Sequence, residues 1–152
     1  MVRSAGVLLW RRRDGEVEVL IGHMGGPFWA CKDDGGWSLP KGEHGREEEP
    51  SAAARREFEE ELGLPLPAGD LVPLGDVRAS SGKVLTAWAV EGDLDVDAVR
   101  PGTFPLEWPP RSGRVQEFPE IDRAAWVTVD VARSKLVKGQ VPLLDRLLAT
   151  LG

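Results

Sequence analysis

The segment around residues 50–63 constrains the fold more than any other part of the chain. Pro50 suits the first position of a helix, and Gly63 suits the left-handed residue that ends one. Between them, Ala54, Phe58 and Leu62 recur every four residues, so one face of such a helix is apolar. The pattern predicts a helix at Pro50–Leu62 whose apolar face packs on a sheet.

The rest of the chain supplies candidate strands for that sheet. Runs rich in Val and Leu, with partial alternation, predict strands at Val2–Trp10, Glu16–Gly22, Asp70–Arg78, Lys83–Val90 and Ala125–Val129. A stripe of leucines predicts a second helix at Val141–Leu151. The order of the elements indicates an α+β fold with a mixed sheet between helices, in one domain over residues 1–152. Two irregular stretches, Gly25–Gly36 and Pro101–Pro119, are expected to be functional or mobile loops.

The composition excludes several classes of function. The 152 residues include 19 basic and 25 acidic side chains, and the net charge of −6 argues against non-specific nucleic-acid binding. No apolar run approaches the roughly 20 residues that cross a bilayer, and the N-terminal apolar stretch precedes its arginines, the reverse of a signal peptide. The single cysteine, Cys31, excludes an internal disulfide and a zinc-type spacing. We therefore expect a cytoplasmic monomer or homodimer without nucleic-acid or membrane partners.

Three glutamates share a second face of the predicted helix. Glu57, Glu60 and Glu61 stand at i, i+3 and i+4, where like charges cost roughly 0.2–0.5 kcal/mol per pair. A hard divalent cation would offset this repulsion, since Mg²⁺ takes oxygen ligands and often binds carboxylates together with substrate phosphates. The alternative is that the three charges form a solvated helix face.

The flanking residues favour the cation. Seven residues fit the pattern G-x5-E-x7-R-E-U-x-E-E-x-G-U, where U is bulky and apolar: Gly42, Glu48, Arg56, Glu57, Glu60, Glu61 and Gly63. This 23-residue stretch resembles the Nudix box, the signature of hydrolases that act on nucleoside diphosphates linked to another moiety. The preceding Trp37–Lys41 segment is also similar to that family. The resemblance implies a Nudix α/β/α sandwich around a mixed sheet.

The resemblance also implies roles for individual residues. The three helix glutamates would hold one or more Mg²⁺ or Mn²⁺ ions, helped by the Gly42 carbonyl. The metal would polarise the diphosphate bridge and acidify the attacking water, and a carboxylate would remove the proton. Glu57 and Glu60 are the catalytic candidates on the helix. Glu48 would assist through water or by pairing, and Arg56 would orient the carboxylates.

Two positions depart from the family pattern. Phe58 stands where Ile, Leu or Val is usual and should still pack apolarly, at some steric cost. Glu47 replaces the glycine that commonly precedes the first glutamate of the box, and Gly45 lies two residues earlier. The loop is therefore expected to follow a different path, so Glu48 need not have its usual role.

Features outside the box resemble one branch of the family, the asymmetrically cleaving diadenosine tetraphosphate hydrolases. They are an opening of the form Arg3–Leu9, Lys83 five residues before Trp88, and Glu120 six residues before Trp126. In that branch the lysine faces phosphate oxygens, and the late glutamate lies near the metal as ligand or base. The alternatives are a solubilising lysine at a strand edge and a solvent-exposed loop acid.

The residue that stacks on the base in that branch is missing from this chain. The chain has no tyrosine to stack on adenine, and Ala87 stands where the branch often has one. Three aromatic residues are candidates to hold the base instead, unless they serve core or loop packing: Phe28, Trp29 and Trp37. Lys41 and Arg111 complete the candidate substrate contacts, although Arg111 can also merely keep its loop soluble.

The leading hypothesis is a magnesium-dependent pyrophosphohydrolase acting on a nucleoside triphosphate or a dinucleoside polyphosphate. A second is a Nudix domain that binds a nucleotide as a sensor without turning it over, although such domains usually have lost box carboxylates. A third is an isomerase of a diphosphate ester, which would need Cys31 as its acid or base. His23 and His44 form no ligand pair, so the sequence assigns them no role.

Overall fold

The computed structural model describes residues 3–79 and 81–152, which form nine strands and three α-helices. The strands are β1 Arg3–Arg13, β2 Glu16–Met24, β3 Trp37–Ser38, β4 Lys41–His44, β5 Val72–Arg78, β6 Val84–Glu91, β7 Thr103–Glu107, β8 Val115–Pro119 and β9 Ile121–Thr128. The helices are α1 Pro50–Leu62, α2 Val129–Lys135 and α3 Pro142–Thr150. Val2, where the first strand was predicted to begin, lies outside the described residues.

Strand β1 organises the main sheet. It pairs in parallel with β6 and antiparallel with β2 and β4. The main path of the sheet is β3-β2-β1-β6-β5, and β9 pairs with β2. The sheet is mixed, as the order of the sequence elements predicted.

Alternate side chains of β1 point into two cores, one on each face of the sheet. Val7 and Leu9 pack in the core that also contains Phe58 of α1. Leu8 packs in the other core, together with Leu144 of α3. The helices therefore cover both faces, which confirms the α/β/α sandwich.

Helix α1 has the predicted bounds, whereas β5 begins two residues later than predicted and β6 and α3 differ by one residue at each end. The predicted strand at Ala125–Val129 begins earlier, as β9, and Val129 already belongs to α2. That helix starts there because the Thr128 hydroxyl accepts a hydrogen bond from the Val131 amide, at 3.3 Å. Among the described residues, no helix has the length and apolarity needed to cross a membrane.

The proline-rich stretch at residues 101–119 is more regular than predicted. Strands β7 and β8 pair antiparallel within it as a separate hairpin. Pro105 and Pro119 fit this hairpin because each strand of a two-stranded sheet has an unpaired edge, where a missing N–H is tolerated. The stretch at residues 25–36 stays irregular, as expected.

The buried face of α1 should dominate its stability. Phe58 is fully buried, so F58A leaves a large cavity and is expected to lower the free energy of unfolding by about 3–5 kcal/mol. Leu148 of α3 is 37% exposed, and L148A should cost only about 0.5 kcal/mol. Urea unfolding followed by circular dichroism measures both, and equal losses would contradict this account of the core.

Candidate active site

The two ends of α1 set the position of its glutamates. Glu49 caps the N-terminus by accepting a hydrogen bond from the Ala52 amide, at 3.0 Å. Gly63 ends the helix in the left-handed conformation, with a φ of 69°. Phe58 anchors one side of the helix in the core, and the neighbouring side, which carries Glu57, Glu60 and Glu61, borders a cleft.

This cleft has a volume of about 600 Å³ and is lined mainly by polar residues. Several predicted site residues line it together: Lys41, Gly42, Glu57, Glu60, Glu61, Lys83 and Glu120. They come from α1, from β4, and from the segments preceding β6 and β9. The fold thus brings acidic and basic side chains from four parts of the chain into one cavity.

Gly42 allows the carboxylate of Glu57 to lie against the backbone of β4. A Cβ atom built on Gly42 would lie 1.9 Å from Oε2 of Glu57, a distance no side chain can occupy. Gly42 is the register partner of Ala5, so the pairing of β4 with β1 sets its position. Any larger residue at this position would displace the Glu57 carboxylate from β4.

Arg56 gathers three carboxylates on one guanidinium. Its Nε and Nη2 donate to the two carboxylate oxygens of Glu48, at 2.7 and 2.8 Å. Its Nη1 donates to one oxygen of Glu57 at 2.8 Å and one oxygen of Glu60 at 3.1 Å. The guanidinium lowers the pKa of Glu48. Glu48 therefore forms a bidentate ion pair with Arg56 beside the cleft. Of the two roles expected for Glu48, through water or by pairing, this geometry corresponds to pairing.

Burial disfavours the ionised form of two carboxyl groups in the cleft, and nearby cations offset only part of this effect. Burial raises the pKa of the Glu61 carboxyl to about 8, and the charges of Glu120 and Glu57 add to the rise. Lys41 offsets part of it. Burial also raises the pKa of Glu57, against the effect of Arg56. A bound cation would therefore favour the ionised form of these carboxyls.

The donor set fits a hard divalent cation. Carboxylate oxygens and a main-chain carbonyl, such as that of Gly42, are the ligands Mg²⁺ and Mn²⁺ prefer. Over residues 3–79 and 81–152, no three acidic, histidine or cysteine side chains are already arranged as a metal cage. Arg56 holds one oxygen each of Glu57 and Glu60 in hydrogen bonds.

Lys83 has a partner that the sequence did not reveal. Its Nζ donates to Oε2 of Glu43, at 2.7 Å, and this contact lowers the pKa of Glu43. Glu43 is the register partner of Ser4, and both line the cleft. No short-range signal could have indicated Glu43, because the ion pair joins residues 40 positions apart.

A second cleft, of about 480 Å³, adjoins the first and shares Ser4, Lys41 and Lys83 with it. Its other lining residues are apolar, cationic, small or, in one case, a neutral amide: Val77, Arg78, Ala79, Ser81, Leu85, Val137, Lys138, Gly139 and Gln140. The two lysines therefore stand where an acidic cleft meets a cleft that is apolar and basic.

Two predicted substrate contacts lie elsewhere. Trp37 is buried in the core beneath α2 and α3, and its indole N–H donates to Asp33 at 2.8 Å. This placement disagrees with a stacking role, because the ring has no exposed face for a base. Arg111 is exposed in the turn between β7 and β8, where it adopts a φ of 62°, and it does not line either cleft.

Of the other two aromatic candidates, Trp29 lines the acidic cleft and Phe28 does not. Phe104, which the sequence did not single out, also lines this cleft. Phe28 is 69% exposed and packs edge-on against Trp108, with ring centroids 5.4 Å apart. Cys31 is exposed and does not line the cleft.

The NUDIX domain family profile matches residues 1–147 of the chain. The chain belongs to the Nudix family. Family membership places it among hydrolases that act on phosphorus-containing anhydrides, and Nudix hydrolases generally use divalent metal ions. A comparison with curated proteins found no match.

Solved structures share the Nudix fold over nearly the whole chain. The Ap4A hydrolase of C. elegans in a binary complex is 20% identical with a TM-score of 0.69, over 99% of this chain and 98% of that one. The Nudix hydrolase RenU of M. smegmatis is 27% identical with a TM-score of 0.56, over 97% and 84%. The NUDIX domain of Shewanella oneidensis NrtR, complexed with ADP ribose, is 16% identical with a TM-score of 0.66, over 100% and 89%.

The contact between Gly42 and Glu57 predicts different effects for two glycines of this Nudix box. In G42A the new methyl group displaces the Glu57 carboxylate, so we expect Mn²⁺ affinity to fall about 10-fold or more. G45A is the matched control, because a Cβ there meets nothing within 4 Å. Titration of Mn²⁺ followed by electron paramagnetic resonance compares the two. Equal affinities would show that Glu57 does not hold the ion.

The raised pKa of Glu61 predicts how the stability of the metal-free protein depends on pH. The carboxyl has a pKa of about 8 when folded against an ordinary value of 4.5, so the folded state holds an extra proton between these values. The contribution of Glu61 to the free energy of unfolding therefore falls as pH rises from about 5 to about 8. In E61Q this part of the pH dependence should be absent. Urea unfolding in EDTA at pH 5.5 and 8 measures the difference, and identical pH profiles for both proteins would contradict it.

Proposed function

We propose that this Nudix chain is a magnesium-dependent pyrophosphohydrolase that uses water to cleave a diphosphate linkage in a nucleoside triphosphate or a dinucleoside polyphosphate. The observation that carries the proposal is the lining of one cleft by five carboxylates and two lysines. Metal-holding carboxylates and phosphate-binding cations are the two requirements for hydrolysis of a polyphosphate. Burial raises the pKa of Glu61 and of Glu57, and this supports the same interpretation, because a bound cation would stabilise the ionised form of both carboxyls.

Glu57, Glu60 and Glu61, with the carbonyl of Gly42, are the groups we assign to the metal. When bound, Mg²⁺ supplies positive charge to the phosphate oxygens and lowers the pKa of water. Arg56 has a positioning role, because its guanidinium holds the Glu57 and Glu60 side chains in place from outside the cleft.

Glu120 is our candidate for the general base. It approaches the cleft from a different segment than the helix glutamates, so it can accept a proton from water while they hold the metal. Its main chain is fixed on both sides: its amide donates to the Gly102 carbonyl at 2.8 Å, and its carbonyl accepts from the Gly25 amide at 3.1 Å.

Lys41 and Lys83 are assigned to the phosphate chain. They border both clefts, so a chain bound to them can have one end near the carboxylates and the other in the adjoining cleft. The apolar Val77, Leu85 and Val137 give that second cleft a surface suited to a nucleoside. Trp29 supplies an aromatic ring in the first cleft. Two adjoining clefts favour a substrate with a nucleoside at each end, and the fold shared with C. elegans Ap4A hydrolase agrees with this choice.

Product analysis by chromatography tests the proposal. The protein is incubated with Mg²⁺ and, separately, with diadenosine tetraphosphate, common and oxidised nucleoside triphosphates, ADP-ribose and a sugar nucleotide. We expect diadenosine tetraphosphate to give ATP and AMP fastest, and EDTA to abolish the reaction. E61Q should reduce turnover about 100-fold or more without loss of the fold.

E59Q is the matched control for E61Q, since it makes the same chemical change on the same helix. Glu59 accepts a hydrogen bond from the Leu66 amide at 3.0 Å and does not line the cleft, and a glutamine oxygen can accept that bond equally. Full activity of E61Q would refute the metal assignment. Preferential release of pyrophosphate from a triphosphate would select the triphosphate substrate. Tight binding of one ligand without turnover would favour the sensor alternative.

A further inference from the structure

A buried histidine joins two segments that border the acidic cleft. His23, near the end of β2, is 1% exposed. Its Nδ1 lies 2.8 Å from Oδ1 of Asp122 in β9, and its Nε2 lies 2.6 Å from the carbonyl oxygen of Lys32. Both ring nitrogens are therefore engaged, one by β9 and one by the loop at residues 25–36.

Asp122 occupies a β-bulge. His23 pairs with Arg123, but the next residue of β2, Met24, pairs with Ile121, so Asp122 is an extra residue in β9. The bulge changes which way the start of the strand faces. The Arg123 guanidinium lies over Trp37, which belongs to the core beneath α2 and α3, whereas Ile121 packs in the core beneath α1. In a regular strand these two residues would face the same side.

The bulge determines where Glu120 lies. Ile121 is 1% exposed, and its side chain fills the space beside Gly22, where a Cβ would lie 3.0 Å from it. Glu120 directly precedes this anchored residue, and its carbonyl accepts the hydrogen bond from Gly25 at 3.1 Å. A β-bulge beside an active site commonly re-aims a side chain, and here the residue affected is the candidate base.

The second contact of His23 determines where Trp29 lies. The amide of Lys32 donates to the carbonyl of Trp29 at 3.0 Å, and the amide of Trp29 donates to the carbonyl of Gly26 at 3.3 Å. The turn that carries Trp29 is thus held at its far end by the ring of His23. Trp29 lines the same cleft as Glu120.

We propose that His23 and Asp122 form a positioning pair, which holds Glu120 and Trp29 in place over the carboxylates of α1. The inference rests on the proposed function, because it gives Glu120 and Trp29 their roles in hydrolysis. The pair itself does not line the cleft. It acts through the main chain of the two segments that it connects.

Hydrogen-bond chemistry provides a matched set of variants. The Lys32 carbonyl can only accept, so Nε2 of His23 carries a hydrogen. In D122N the side-chain amide can donate to Nδ1 of a neutral ring, so both contacts of His23 survive. D122A removes the contact with β9. D145A is the control, because Asp145 forms an ion pair with Arg133 at 2.6 Å and does not line the cleft.

The experiment measures kcat and KM for diadenosine tetraphosphate and dGTP with Mg²⁺, and amide hydrogen exchange of the metal-free proteins. D122A should lower kcat about 10-fold or more and raise KM, because Glu120 and Trp29 lose their positions. D122N should restore both parameters, and D145A should leave them unchanged. The amides of Gly25 and Glu120 should exchange about 10-fold faster in D122A than in D145A.

The asparagine rescue separates positioning from stability, since a loss of stability alone leaves kcat and KM unchanged while the protein stays folded. Asp122 has a side chain that is 37% exposed, so water can fill the gap left in D122A; D122S is a second variant with a smaller gap. Unchanged kcat and unchanged exchange in D122A would overturn the inference. So would a D122N protein as impaired as D122A. A wild-type protein that turns over neither substrate would refute the proposed function, while the exchange data would still test the pair.

Discussion

Packing of α1 against the sheet holds together carboxylates that repel one another. Burial of a large apolar side chain such as Phe58 stabilises the fold by roughly 1.5–3 kcal/mol. Each like-charge pair on an exposed helix costs only roughly 0.2–0.5 kcal/mol. The apolar face therefore determines how the helix packs on the sheet. The acidic face then borders the cleft, and the energy of apolar burial exceeds the repulsion between its carboxylates. Burial adds a further cost, because it raises the pKa of the Glu61 carboxyl, and the charges of Glu120 and Glu57 raise it further.

Arg56 and the lysines divide the compensating positive charge between two places. Arg56 pairs with Glu48, Glu57 and Glu60 from beside the cleft and leaves the interior to be balanced by other cations. Lys41 and Lys83 enter from the sheet side, at the border with the second cleft. This division separates the groups suited to a metal from those suited to phosphate, and both meet within one cavity.

Local signals predicted α1 completely, since Pro50, Gly63 and a four-residue apolar spacing all lie within the helix or next to it. The mixed sheet and the two helical layers also followed from the order of elements. Helix α2 was missed because it is short and follows β9 without a break, so its start depends on the cap at Thr128. The β7–β8 hairpin was missed because its prolines suggested a loop, while its pairing joins residues 103–107 to residues 115–119.

The sequence by itself determined the family, the two faces of α1 and the identity of its carboxylates, because these features depend on residue spacing within one short stretch, residues 42–64. Only the tertiary structure decided which distant residues join them. It buried Trp37, turned Trp29 toward the cleft, paired Lys83 with Glu43, and placed Asp122 against a histidine 99 positions away. Strand register and core packing settle such contacts, and neither is encoded within a short window of the chain.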